Sequence, residues 1–251
     1  MNDFTAFNNF FDHIYVISLH RAQERQEAIK KNLEGLNYEF FWGADKQDHP
    51  ISEMISDGIY NEAMAIKNHR YHKPLSSGQI CCGWSHKHVY QDLISKGYQK
   101  ALILEDDVIA ESNIGKFGHL IIKELPSNWE LLYLDYNRNE KKNVIRQYWY
   151  HVQKFFGGLT WSHTSIQNLY PKKLSEHLAS AGFHDFTNAY AITATAAQKL
   201  VQLQTPIAFL ADNLLATACT TKMVNGFIAL PKLFSQLSQG SGKLTQSYVD
   251  D

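Results

Sequence analysis

The chain has 251 residues, of which 44% are hydrophobic and 20% charged, enough for a sizeable core in one or two domains. Lys and Arg total 24 against 25 Asp and Glu, a net charge of -1, so the basic excess of a nucleic-acid-coating protein is excluded. Three cysteines, two of them adjacent (Cys81, Cys82) and one far away (Cys219), make neither a disulfide framework nor a C-x-x-C metal pair, and a reducing, cytoplasmic compartment is the expectation that fits them. MNDFTAFNNFF lacks the basic start of a signal peptide, and no run approaches the length of a membrane span.

In chain order, the first apolar run, His13 to Leu19, predicts a strand. Arg21 to Leu36 predicts a helix, with Ala22, Ala28, Ile29, Leu33 and Leu36 on one side and Gly35 near its end. Tyr38 to Ala44 predicts a second strand. Asp45 to Ser77 has no period, so it predicts an excursion at the rim. A helix is expected from Trp84 to Gly97, then a buried strand from Ala101 to Val108. A helix through Ile114 and Leu125 leads to a strand from Trp129 to Asp135, and residues 137–187 show no clean period. Ala189 to Thr193 and Gly226 to Leu230 predict strands, Ala196 to Leu203 a helix, and 238–251 a polar, mobile tail. Strands alternating with helices predict an α/β fold whose mostly parallel central sheet is flanked by helices.

The most informative stretch is LILEDDV, an apolar strand ending in Glu105, Asp106 and Asp107. Alternation along a strand would put Glu105 and Asp107 on one face and Asp106 on the other. Ligands of open α/β sheets collect at the carboxyl ends of strands, and oxygen-only donors suit Mn²⁺ or Mg²⁺ shared with substrate phosphates. A solvated turn or a helix cap would also account for three acids at a strand end.

Neighbouring motifs carry a resemblance. L-x-R-x-x-x-R (Leu19, Arg21, Arg25), a strand ending in Ala44-Asp45, G-x-x-x-C-x-x-S-H (Gly78, Cys82, Ser85, His86), LILEDDV, AYAITATAAQKL, ADNLL and P-x-x-x-x-Q (Pro231 to Gln236) follow in an order that resembles glycosyltransferase family 25. This family includes bacterial lipooligosaccharide galactosyltransferases and is related to the collagen galactosyltransferases. Ser18, Gln79 and Cys81 depart from its usual Asn, Glu and Gly.

The resemblance implies a GT-A type, Rossmann-like fold in one unit, with a nucleotide-sugar half over about 10–110 and an acceptor half over about 111–237. It implies an inverting transfer of a hexose, galactose from UDP-galactose, to a glycan or lipid-linked saccharide during surface-glycan assembly. Asp107, with Glu105, is expected to hold Mn²⁺ or Mg²⁺. Ser18, Arg21, Arg25, Ser85, His86, Glu105 and Asp106 are expected around the donor. Arg21 and Arg25, four apart, would clamp a diphosphate, or else pair with Glu24 or Glu27. His86, at a helix start, is expected in the substrate pocket, Cys82 in packing.

An inverting transferase needs a group to take the acceptor's proton. Asp212, after the apolar PIAFLA, is the first candidate, ahead of Asp135 and Asp185; as the residue before a helix it reads equally as an N-cap. Trp149, Tyr150, Phe155, Phe156 and Trp161 are of the type that stacks on sugars, but most are expected in the core. Lys67 to Lys73 reads as a solvated loop, or as a surface for an anionic acceptor or for peripheral attachment at a membrane's inner face. Two other readings remain open: a metal-dependent phosphohydrolase or nuclease using the acidic cluster, and a silent glycan-binding module of the same fold.

Overall fold

The computed structural model describes residues 2–237; the expected polar tail, 238–251, lies outside them. A short helix α1 (Thr5–Phe10) precedes strand β1 (His13–Ser18), helix α2 (Gln23–Asn32) and strand β2 (Glu39–Trp42), the expected β-α-β opening. Helices α3 (Ile51–Ser56) and α4 (Glu62–Asn68) lead to the long helix α5 (Ser77–Ser95), then β3 (Lys100–Glu105), β4 (Val108–Ala110), α6 (Ile114–Glu124) and β5 (Leu131–Tyr133). The second half holds α7 (Val144–Phe155), α8 (His163–Gln167), β6 (Lys172–Lys173), β7 (Leu178–Ser180), β8 (Ala189–Thr193), α9 (Ala194–Leu203), α10 (Ala211–Thr220), β9 (Gly226–Ala229) and β10 (Phe234–Gln236).

Eight strands form one sheet in the order β2-β1-β3-β8-β5-β9-β7-β6, and β10 pairs with β4 in a separate ribbon. The pairings set β1, β2, β3, β5, β6 and β9 in one direction and β7 and β8 in the other, so the sheet is mainly parallel, as expected. Strand periodicity explains the two layers. Ile14 and Val16 of β1 and Leu102 and Leu104 of β3 face a core closed by α1, α2 and α6, while Tyr15, Ile17, Ala101 and Ile103 face one closed by α5, α9 and α10.

The structure corrects the sequence reading at several points. The segment 45–77 is no mere excursion: Met54, Tyr60, Ala65 and Leu75 form a small core against Ile80 and Ile207. Helix α5 starts at Ser77, seven residues before Trp84, because Ser76 and Gln79 make a capping box. Its first turns contain Gly78 and Gly83, which blur the apolar stripe that would have marked them. β3 ends at Glu105, and Asp106 and Asp107 form a turn before β4, so strand alternation does not govern the acidic triplet.

The helix α1 carries Phe7 into the core against α6, where Gly118 leaves room for the ring; a Cβ at 118 would lie 2.5 Å from Phe7 Cε2. Gly118→Ala is expected to cost about 1–3 kcal/mol, read as a lower midpoint in denaturant at unchanged m-value.

Candidate active site

The carboxyl ends of β1, β2 and β3 meet the first half of α5 around a cleft. Of the expected donor residues, Ser18, Arg21, Arg25, Ser85, His86, Glu105 and Asp106 all line it. The turn after β3 is fastened from α2 and β1. Arg25, buried although it sits on a charged helix, gives its Nη1 to Asp106 Oδ1 at 2.9 Å and lies 3.9 Å from Asp107 Oδ2. Ser18 Oγ donates to Asp106 Oδ2 at 2.6 Å. Arg21 precedes α2, outside the helix, and bridges both carboxylate oxygens of Asp45. Neither of these arginine pairs is the Glu24 or Glu27 contact that helical spacing offered.

Glu105 is held from the opposite side. His86 Nε2 lies 3.3 Å from its Oε1, and Thr187 Oγ1 donates to the same oxygen at 2.6 Å. His86 stands in the interior of α5 rather than at its start, and its Nδ1 lies 2.8 Å from Tyr190 Oη, itself 2.8 Å from Tyr90 Oη. Burial alone would raise the Glu105 pKa, yet the His86 and Thr187 contacts hold it below the ordinary carboxylate value. Asp107 shows the reverse: burial first, then the Glu105 charge, push it up to about 6. Its Oδ2 accepts from Gln236 Nε2 at 2.9 Å, whereas its buried Oδ1 has no hydrogen-bond partner among the described residues. Burial also raises Asp106, against the pull of Ser18 and Arg25.

A second cavity adjoins the first and is lined by Gln79, Cys82, Glu105, Thr187, Asp212 and Gln236, among others. Cys82 and Glu105 border both. Asp212 is the second residue of α10; the N-cap is Leu210, which has no side-chain cap bond, so the capping account of Asp212 falls away. Its carboxylate accepts instead from the backbone of Asn213, at 2.7 Å, and of Phe186. Burial, then the nearby Asp185 charge, raises it to about 6. Phe186 holds φ +83°, a strained left-handed conformation for a bulky residue. The other two base candidates line neither cavity. Asp135 is buried with its oxygens on Asn188 and on the backbone of Tyr136, and Asp185 pairs with Arg138 at 3.0 Å.

Cys82, His86 and Glu105 bring one ligand atom each to within 4.8 Å of one another, a mixed set not foreseen from spacing. The two ring nitrogens of His86 are engaged, and burial pushes the Cys82 thiol well above its usual value. The carboxylates of the turn, with an orphaned Asp107 oxygen among them, are the donors that suit a hard divalent cation. Sequence reasoning missed Thr187, which nothing marked, and gave Tyr190 and Gln236 only as parts of motifs. Of the aromatics expected in the core, Trp161 is buried, but Trp149, Phe155 and Phe156 are 56%, 82% and 79% exposed on or beside α7.

Comparison with known proteins matches residues 11–215 to the family model described as glycosyltransferase family 25 (LPS biosynthesis protein). A glycosyltransferase 25 family member of Anopheles gambiae is 26% identical over 197 residues, 76% of this chain and 29% of that protein. The inactive glycosyltransferase 25 family member 3 of Homo sapiens is 26% identical over 208 residues, 77% of this chain and 29% of its own length. Procollagen galactosyltransferase 1 of Danio rerio is 25% identical over 134 residues, 51% and 22% of the two chains. The chain thus spans less than a third of these curated relatives. Among solved structures, apo mouse xyloside xylosyltransferase 1 aligns over 90% of this chain and 66% of its own, with a TM-score of 0.35 and 13% identity. With the family match covering the first cavity, the acidic turn and Asp212 alike, the chain belongs to glycosyltransferase family 25.

Proposed function

We propose that this chain transfers a hexose, galactose from UDP-galactose, with inversion to a glycan or lipid-linked saccharide in surface-glycan assembly, on the cytoplasmic side of a membrane. The observation that carries the reading is the pair of adjoining cavities that share Glu105 and Cys82, one lined by arginines and carboxylates, the other by Asp212. The first cavity draws only on residues 17–106, the proposed donor half; the second adds residues 186–188, 210–212 and 236 from the proposed acceptor half. In this reading the nucleoside diphosphate lies in the first cavity, the reacting sugar at the shared wall, and the acceptor hydroxyl beside Asp212.

Asp107 with Glu105 would hold Mn²⁺ or Mg²⁺, which when bound neutralises charge on the departing diphosphate. Arg25 keeps Asp106 and Asp107 in place. Arg21, bound to Asp45 at the mouth, offers a guanidinium suited to phosphate oxygens. Asp212 takes the acceptor's proton, and its pKa of about 6 leaves it mostly ionised at neutral pH but still basic.

A panel of nucleotide-sugars, each with and without Mn²⁺, tests this by thermal unfolding and by transfer to saccharide acceptors. UDP at about a hundred times its Kd is expected to add about 2.7 kcal/mol, a rise in Tm of roughly 5–10 °C, only with metal present. Asp107→Asn is expected to remove the metal-dependent part of that rise. Full transfer in saturating chelator would overturn the metal assignment. One further reading has an observation in its favour, because the human relative is named inactive. A silent module would bind UDP without turnover on any donor, and a phosphohydrolase would cleave donor without acceptor.

A further inference from the structure

The helix α7 presents its apolar side to solvent. At about 100° per residue, Val144, Ile145, Tyr148, Trp149, Phe155 and Phe156 fall within an arc of about 140°. All six are largely exposed, Ile145 at 84%. The opposite side carries the contacts to the body of the protein: Gln147 Nε2 donates to Ile166 O at 2.7 Å, and Tyr150 packs edge-on against Trp161 at 5.3 Å. An ordinary surface helix has the reverse arrangement, and a continuous exposed apolar face of this kind marks an interaction site.

Charge names the partner. The chain as a whole carries a net charge of -1, yet residues 141–175 contain Lys141, Lys142, Arg146, Lys154, Lys172 and Lys173 and no Asp or Glu. The basic segment 67–73 lies against the same region. Arg70 donates to Tyr150 Oη at 2.7 Å and sits 4.3 Å over the Trp161 ring, and His72 Nε2 lies 3.3 Å from Gly157 O. Lys67, Tyr71 and Lys73 there are exposed. An apolar stripe rich in Trp, Tyr and Phe, bordered by lysine and arginine and free of acids, is what an anionic bilayer surface takes up. A protein groove would supply the apolar contact but gives no reason for an acid-free run of this length.

We infer that α7 lies flat in the headgroup region of an anionic membrane, with Trp149, Ile145 and Phe155 inserted and the flanking lysines and Arg146 on lipid phosphates. At twelve residues the helix is about 18 Å long and does not span, and no described helix is long and apolar enough to cross a membrane. The attachment does not rest on the proposed transferase reading.

The test is flotation with vesicles of equal parts phosphatidylglycerol and phosphatidylcholine, and with phosphatidylcholine alone. The wild-type chain is expected to float with the anionic vesicles, weakly with the neutral ones, and less as salt rises. The exposed-residue variant I145S/W149S/F155S is expected to lose at least about tenfold in vesicle affinity while keeping its circular dichroism and its unfolding midpoint, and Lys141→Glu with Lys142→Glu to lose at least about thirtyfold. Wild-type protein that stays in solution, or a triple variant that floats as well as wild type, would overturn the inference. So would a wild-type dimer that the triple variant turns into monomer without any vesicle binding, which would assign the face to a second copy. Flotation needs neither donor nor metal: a chain that floats but transfers no sugar loses only the transferase reading, and one that transfers to a soluble saccharide without floating loses only this one.

Discussion

Arg25→Ala is expected to destabilise the fold by about 3–5 kcal/mol at neutral pH, the usual cost of stranding a buried charge. The guanidinium is the cation facing Asp106, at 2.9 Å, and Asp107, at 3.9 Å, and both carboxylates are buried. Their pKa values are already raised with Arg25 in place. Without it they rise further, so the variant's deficit should shrink as pH falls and the two acids take up protons. Arg25→Ala combined with Asp106→Asn should recover part of the loss, and a double-mutant cycle in urea measures how much. Were Arg25 only a clamp on the donor's diphosphate, the variant would lose donor affinity at unchanged stability. Its contacts make it a support for the acidic turn, so the decisive readout is urea unfolding with no ligand present.

Asp212→Asn is expected to lower turnover by about a hundred- to ten-thousand-fold at saturating donor and acceptor, the span over which a positioned base contributes. Donor affinity should change little, because Asp212 lines the second cavity and not the first. In the wild type, turnover should rise with pH through about 6 and level off above it, since only the ionised carboxylate accepts a proton. Stability moves the opposite way. The Asp212 pKa is raised from 3.8 to about 6, so its favourable contribution is fully present below 3.8 and is lost as pH rises through 6. Asparagine keeps the oxygen that accepts from Asn213 and never ionises. The variant should therefore unfold at nearly the same temperature as wild type near pH 4 and be up to about 3 kcal/mol more stable at pH 8. Near-normal turnover would move the proton acceptor to Asp185 or Asp135.

Strands β1, β3, β8 and β9 were legible because they are short apolar runs buried on both faces, and Asp212 because an acid follows an apolar approach. Their direction was not. The strand β8 runs against its neighbours β3 and β5, and no side-chain pattern within AYAIT distinguishes the two orientations. LILEDDV marks the acidic triplet but not its geometry: the apolar run predicts a strand through Val108, whereas the chain turns at Asp106 and Asp107 to begin β4. Helix α7 lies within residues 137–187, where the sequence shows no clean period, and because its apolar side faces out, Trp149 and Phe155, of a type expected in the core, stand in solvent. Thr187 and the Tyr190 to His86 contact depend on residues 82 and 104 positions apart, a juxtaposition that composition and spacing do not encode.

The ribbon of β4 and β10 gives the site a place in time as well as in space. Gln236 reaches back 129 positions to Asp107, and the amide of Leu237 donates to the Asp107 carbonyl at 2.8 Å. Synthesis runs at about 5–20 residues per second, so the acidic turn is made roughly 6–26 seconds before the strand that closes over it. Until β10 is made, the Asp107 carboxylate lacks the Gln236 amide that donates to it, so the acidic turn is completed only when β10 pairs with β4.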